Sequence, residues 1–498
     1  MESVMRRRRS GRLHGGRPAR ILAAWLAAHP TCHAGEPGAP HFWDEIPACP
    51  STTAPARITD DYWHGQFERV NREVAAADGT ELVFFGDSIT WHWSLGAADG
   101  QKVWEETYGR YHPVNMGNSG DITPVMLHRV THGNLAFPAG KEPKVAVLLC
   151  GTNNFTVNQS DGGKVRWELG PDCPPEEVAA GMRAVAQAFR RALPRTRVIM
   201  MGILPVKQPE KWARCQQVNR IQASLACNRD EVVFLDAGKT FLQADGSLDP
   251  KLFTDGTHLT EQGYRTWARG IDPVLKDMLE AKPLDPLEIM LIGDDLTEGS
   301  NPAESYRRHL DGMLRRKGRL IDFVGSRKGH HDGDFENERF SYDPDHEGHW
   351  GRDSKWLAEQ SATYLSGKAP DVAVVQLGSA EIAAAGGDGD ASVRVMPNLE
   401  KIVAALRSAN PQVKIVLTTM IPVPAKAEAI RRLNQGTSSY ARTHSTERSP
   451  VVVADLTNGF DATQHLAAPA IQATASGAKH MAEVIAGAIQ TLLGGGSP

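Results

Sequence analysis

The chain has 498 residues, 41% of them hydrophobic and 23% charged, with a formal net charge of -4. That length exceeds what one hydrophobic core serves and favours two large domains, and the near-neutral balance gives no electrostatic footprint for nucleic acid. No apolar run approaches the roughly 20 residues a membrane-crossing helix needs, so the body of the chain is not expected to span a bilayer.

The first segment is unlike the rest. MRRRRSGRLHGGRPAR runs into the short apolar stretch ILAAWLAA and then into small residues around Ala34 and Gly35. This is the layout of an export signal over residues 1–40 and predicts a secreted or periplasmic protein; the alternative is a basic tail on a cytoplasmic one. Six cysteines, Cys32, Cys49, Cys150, Cys173, Cys215 and Cys227, lie in the first half without CxxC or His-rich spacing, so no metal and no cofactor is expected. In an exported protein, one or two disulfides among Cys49, Cys173, Cys215 and Cys227 fit the compartment, while Cys150 ends an apolar run and reads as a buried thiol.

Five β-rich runs follow, ELVFFGD, HPVNMG, KVAVLLCG, TRVIMMGILPV and EVVFLDAG, separated by helical patterns. Strands alternating with helices predict a parallel α/β sheet covered on both faces. In such sheets ligands sit beyond the carboxyl ends of the strands, and here those ends spell GDS, GNSGD and GTNN, with DGTH in the last loop.

Each segment supplies a different part of an acyl-transfer site. Ser88 follows the first strand and is expected to begin a helix, where a sharp turn presents its hydroxyl as a nucleophile and its backbone N–H lies at the positive helix end. His258 is the candidate base, and Asp255, three residues earlier, is placed to orient it. The oxyanion needs donors, and the Ser88 N–H, the Gly120 N–H and the Asn153 side-chain amide are available.

These four segments, in this order, resemble the SGNH (GDSL-type) hydrolase family, named for Ser, Gly, Asn and His. The resemblance implies a flavodoxin-like three-layer α/β/α sandwich and a serine esterase, with Ser88, Asp255 and His258 as triad and Ser88, Gly120 and Asn153 as oxyanion hole. Through YWHGQFERVN, VNMGNSGD and LCGTNNF, residues 62–278 are similar to the branch of platelet-activating-factor acetylhydrolase subunits. His64 and Asn71 match that branch and are expected to be structural. One departure is the long stretch FTVNQSDGGKVRWELGPDC after GTNN, where Arg166 and Trp167 are expected to form a substrate-binding rim or lid; the plainer reading is a solvated hairpin. Trp91 and Trp93 beside the nucleophile read as packing.

The second half repeats the pattern with LEIMLIGD, RLIDFVGS, DVAVVQLGS, VKIVLTTMIPV and PVVVADLT, an internal duplication of about 200 residues. Asn219 and Asn434 sit in corresponding helical stretches. The junction falls near AKPLDP, where prolines interrupt the helical pattern, giving domain one as 56–280 and domain two as 286–494, expected to pack on each other. IMLIGDDLTEG, DHEGHWGR and LGSAEI resemble acetylxylan-esterase-like members of the same family. Against that pattern Asp295 replaces the serine, Ala380 the oxyanion Asn, and Pro469 and Gln472 the Asp and His, with Gly351 alone retained. Domain two is therefore expected to be tandem in fold and non-catalytic. Its His- and carboxylate-rich segment RKGHHDGDFENERFSYDPDHEGHW reads as a family loop plus solvated surface.

The chain is thus expected to hydrolyse short acyl, foremost acetyl, esters of a small molecule or polysaccharide. A lipid-directed acetylhydrolase or lysophospholipase-like esterase is the alternative enzyme, and an inert carbohydrate-binding protein the alternative from another class.

Overall fold

The computed structural model describes residues 40–52, 61–95, 100–138, 140–155, 160–161, 164–165, 173–225, 227, 230–300, 305–333, 341–385, 390–467 and 471–494. Arg166, Trp167 and Pro469 lie outside them.

Domain one is built on five parallel strands, β1 (Leu82–Gly86), β2 (Val114–Gly117), β3 (Val145–Leu149), β4 (Arg197–Met201) and β5 (Val232–Leu235), in the order β2-β1-β3-β4-β5. Successive side chains on a strand point to opposite faces, and here both faces are buried. Val83, Phe85, Ala146 and Leu148 pack with Val70 and Val74 of α1 (Asp61–Ala75), Met126 of α3 (Thr123–Thr131), Val185 of α4 (Pro175–Ala192) and Val218 of α5 (Pro209–Ala223). Leu82, Phe84, Val145 and Val147 pack with Ile89 and Trp93 of α2 (Ser88–Ser94) and Trp267 and Ile271 of α6 (Glu261–Glu280). Each such side chain stabilises the fold by about 1.5 to 3 kcal/mol, which is why the strands read as unbroken apolar runs.

Trp93 is part of this packing: its ring stacks 4.3 Å from Trp267 and meets Phe84 edge-on at 4.9 Å. Trp91 is half-buried and donates from Nε1 to Gln66 Oε1 at 3.1 Å. Asn71 accepts from Asn134 Nδ2 at 2.7 Å, a structural contact, and His64 is exposed beside the Trp63 ring.

Residues 281–286 carry the chain from α6 to a second sheet without helix or strand. Its strands are β6 (Leu287–Gly293), β7 (Ile321–Val324), β8 (Asp345–Gly348), β9 (Val372–Gln376), β10 (Lys414–Thr418) and β11 (Val451–Ala454). The order β8-β6-β9-β10-β11 repeats that of domain one, with β7 pairing the first half of β6 and β8 the second half. A two-residue ribbon, Arg327–Lys328, adds antiparallel to β8. Both sheets carry helices on both faces, so the molecule is a tandem of three-layer α/β/α domains. Among the described residues no helix is long and apolar enough to cross a membrane.

Two features differ from expectation. Residues 40–52, ahead of the expected start of domain one at 56, are packed as a strap: Phe42, Trp43 and Ile46 are buried, and Ser51 lies fully inside, its carbonyl accepting from Thr123 Oγ1 at 2.9 Å. The strap escapes sequence reasoning because it is proline-rich and has no apolar period. Further, Cys227 is disulfide-bonded while Cys49, Cys150, Cys173 and Cys215 are not, so no bridge joins any two of Cys49, Cys173, Cys215 and Cys227. Burial pushes the Cys215 thiol up to about 12, which leaves it protonated and inert.

The domains meet through α4 and α7 (Tyr306–Arg316). Arg191 Nε donates to Asp311 Oδ2 at 2.9 Å and Arg315 Nε to Asp311 Oδ1 at 2.8 Å, all three side chains being buried. Trp43 of the strap packs its ring against both guanidinium groups, 5.0 Å from that of Arg191 and 4.8 Å from that of Arg315.

Candidate active site

At the carboxyl end of β1, Asp87 caps α2 by accepting the Ile89 N–H at 2.9 Å, which turns the chain sharply and places Ser88 as the first helical residue. Burial pushes the Asp87 carboxyl up to about 6 against that hydrogen bond. The approach of β2 to α2 requires glycine: a Cβ on Gly117 would lie 2.3 Å from the Trp91 nitrogen.

Ser88 Oγ is 2.9 Å from His258 Nε2, and His258 Nδ1 is 2.7 Å from Asp255 Oδ2. A carboxylate only accepts, so Nδ1 carries the proton, Nε2 presents its lone pair, and the serine hydroxyl donates to it. Asp255 Oδ1 accepts the backbone N–H groups of Thr257 and His258, both at 2.8 Å. Burial raises the Asp255 carboxyl, but the bonds from the His258 ring and these two N–H groups outweigh it and hold it below the usual carboxylate range.

The loop carrying both residues is closed at its base. Thr254 N–H donates to His258 O at 2.8 Å, Lys207 N–H donates to Gly256 O at 2.8 Å, and Thr260 caps α6 by accepting the Gly263 N–H at 3.2 Å. From α6, Tyr264 Oη donates to Ile89 O at 2.8 Å, tying the helix after the histidine to the helix of the serine.

Gly120 has φ 78°, a left-handed conformation that favours glycine and turns the chain after β2. Asn153 Nδ2 donates to Asp121 O at 3.0 Å, which fixes the amide beside the turn while a primary amide keeps a second N–H for a ligand. Ser88, His258 and Asp255 are thus joined in one line of contact, and Asn153 is tied to the turn that carries Gly120.

Sequence reasoning missed the support beneath them. Asp121 is fully buried; Arg129 Nη1 donates to its Oδ2 at 2.7 Å and Trp63 Nε1 to its Oδ1 at 3.2 Å. Arg129 also packs over the Phe85 ring at 4.5 Å. The Asp in GNSGD was visible, but Arg129 follows at no motif spacing, and Trp63 carried only a branch resemblance. His92 was also missed; its ring lies 4.9 Å from that of His258.

The corresponding place in domain two is built on the same frame and filled differently. Asp294 caps the turn by accepting the Leu296 N–H at 3.3 Å, and a Cβ on Gly348 would lie 2.5 Å from the Glu298 nitrogen. Asp295 Oδ1 accepts the Gly351 N–H at 2.5 Å, and the Glu298 carboxylate accepts the Trp350 N–H and the Arg327 guanidinium. The retained glycine's donor is thus occupied by the chain's own carboxylate. Burial raises the Asp295 carboxyl against the Gly351 bond, and neighbouring Glu298 raises it further. Among the described residues no cluster of three or more His, Cys, Asp or Glu side chains is arranged to hold a metal.

Over 201 residues the chain is 28% identical to platelet-activating factor acetylhydrolase IB subunit alpha1 of Rattus norvegicus, covering 40% of this chain and 76% of the relative. Over 229 residues it is 26% identical to the alpha2 subunit of Homo sapiens, covering 45% of this chain and 88% of the relative. A solved carbohydrate esterase family 3 protein from Talaromyces cellulolyticus is 25% identical, with a TM-score of 0.37, over 42% of this chain and 100% of that one. The GDSL-like Lipase/Acylhydrolase family matches residues 84–266 and again residues 291–479. With both halves matched, the chain belongs to the GDSL-like lipase/acylhydrolase family of SGNH serine esterases and is a carboxylic ester hydrolase.

Proposed function

We propose that domain one removes short acyl groups, foremost acetyl, from carbohydrate esters by an acyl-enzyme route through Ser88, His258 and Asp255. The reading is carried by the unbroken contact from Ser88 Oγ through the His258 ring to the Asp255 carboxylate, 2.9 and 2.7 Å. His258 Nε2 takes the hydroxyl proton as Ser88 Oγ attacks the ester carbonyl, and the imidazolium is stabilised by Asp255. The tetrahedral oxyanion is held by the Ser88 and Gly120 N–H groups and the Asn153 amide. Its collapse breaks the C–O bond to the alcohol, which leaves with the proton from His258; water, deprotonated by the same nitrogen, then releases the acid and restores Ser88.

Asn153→Ala should lower kcat by about 10²- to 10³-fold with little change in KM, the usual cost of one oxyanion donor. Steady-state hydrolysis of p-nitrophenyl acetate measures it, and a change confined to KM would remove Asn153 from that role.

Carbohydrate as the alcohol is supported by the resemblance of domain two to acetylxylan-esterase-like proteins and by the export-type start of the chain. The second reading, a lipid-directed acetylhydrolase, is favoured by the names of the relatives of domain one. Acetate release from acetylated xylan against release from an acetylated short-chain phospholipid separates them: faster turnover of the phospholipid would replace the first reading by the second. Domain two has no part in either chemistry, since Asp295 is a carboxylate on the donor its substrate would need.

A further inference from the structure

Domain two contains a cavity of about 770 Å³ at the carboxyl ends of β10 and β11, against α8 (Ala427–His444). The equivalent place in domain one is occupied by a side chain. An asparagine clasp sets the two copies in register: Asn219 Oδ1 accepts the Ile203 N–H and Asn434 Oδ1 the Met420 N–H, both at 2.8 Å, and each amide returns a bond to the same residue's carbonyl. Seven positions before each Asn stand Trp212 and Ala427, and two positions after the aspartates Asp236 and Asp455 stand Gly238 and Thr457. The Trp212 indole packs over Gly238, with its Cη2 3.2 Å from where a Cβ there would lie. Ala427 has only a methyl in that place, and both Ala427 and Thr457 line the open cavity.

We propose that this cavity binds a neutral sugar or short oligosaccharide, at a site separate from Ser88. Its volume is that of a small-molecule site. Pro422, Val423 and Ile430 give an apolar floor for the C–H face of a pyranose ring, and Asn434, Gln435 and Ser438 give amide and hydroxyl groups for its hydroxyls. An acyl chain would lay hydrocarbon against those polar groups and leave their hydrogen bonds to water unreplaced. The charges at the wall are of both signs: Arg431 is held by Glu428 at 2.6 and 2.8 Å, and the Asp455 carboxylate lines the cavity as Arg442 does. No residue of the acyl-transfer site takes part, so the inference goes beyond the proposed esterase function and stands or falls without it.

The test is calorimetric titration of the full chain with xylotriose, cellotriose and mannotriose, with octanoate as the apolar comparison. At least one trisaccharide should bind. Ala427→Trp, which restores the indole of domain one, should weaken that binding at least tenfold, about 1.4 kcal/mol, while the rate on p-nitrophenyl acetate stays that of the unaltered chain. Gln435→Ala, a change on an exposed helix face, should weaken it in the same direction and covers the case in which the tryptophan disturbs folding. Ser88→Ala should bind as the unaltered chain does, which separates this site from the esterase reading. Binding of none of the trisaccharides, sugar binding unchanged in both Ala427→Trp and Gln435→Ala, or octanoate as the ligand that Ala427→Trp excludes would each overturn the proposal.

Discussion

Ser88→Ala is expected to lower kcat on p-nitrophenyl acetate by on the order of 10⁶-fold, the loss typical when one member of a coupled nucleophile and base is removed. The size follows from the geometry: His258 Nε2 lies 2.9 Å from Ser88 Oγ and pairs with no other hydroxyl among the described residues. His258→Ala should cost a similar factor, and the double variant little more, because neither group acts without the other. Asp255→Asn should cost about 10⁴-fold by favouring the wrong imidazole tautomer. Since Asp255 is held below the usual carboxylate range, it remains ionised across the weakly acid and neutral region, and orientation of the ring persists there. Folding should be untouched by Ser88→Ala, the residue being only half-buried, so an unchanged melting curve accompanies the loss. The rival outcome is full activity in Ser88→Ala together with loss in Asp295→Ala, which would transfer the chemistry to domain two.

The strand ends that carry this site were legible because each lies between an apolar run and a turn whose chemistry is written in a few letters. GDS, GNSGD and GTNN follow β1, β2 and β3 and DGTH lies in the loop before α6, and burial of both faces from Leu82 to Phe85 and from Val145 to Leu148 explains the apolar runs of β1 and β3. What lay hidden is polar and buried. β8 is spelled DHEG, with His346 and Glu347 fully inside, and no hydropathy pattern reveals it. Its side chains are tolerated there because His346 Nε2 bonds Gly329 O at 2.8 Å and Glu347 accepts from Ser326 Oγ at 3.0 Å. The Arg129–Asp121 pair under the oxyanion turn is hidden for the same reason. For Asp295, the sequence indicated a lost nucleophile; that the new carboxylate takes the Gly351 N–H follows only from the fold of the β8 turn.

Asp311→Ala should destabilise the docked pair of domains by about 3 to 5 kcal/mol, the cost of leaving buried charge without its partner. The aspartate is fully buried between Arg191 of domain one and Arg315 of domain two, and the Trp43 ring packs against both guanidinium groups. Burial raises the Asp311 carboxyl, yet the two arginines outweigh it and hold it low; burial likewise lowers Arg191, while Asp311 and its acidic neighbours leave Arg315 raised. Guanidinium groups stay protonated at neutral pH either way, so the charged triad is the relevant state. The sign with pH follows: a carboxyl depressed in the fold adds stability above its unfolded pKa, and that stability drains away as acid takes the pH down through the folded value. Urea or thermal unfolding followed across pH should therefore show the Asp311→Ala deficit in full at neutral pH and shrinking in acid. Arg191→Ala combined with Asp311→Ala should cost less than the sum of the two alone, because each single change strands the other's charge. Strict additivity, or a deficit of Asp311→Ala below about 1 kcal/mol, the size of a surface ion pair, would mean that the apolar contact of the strap, and not the triad, holds the two domains together.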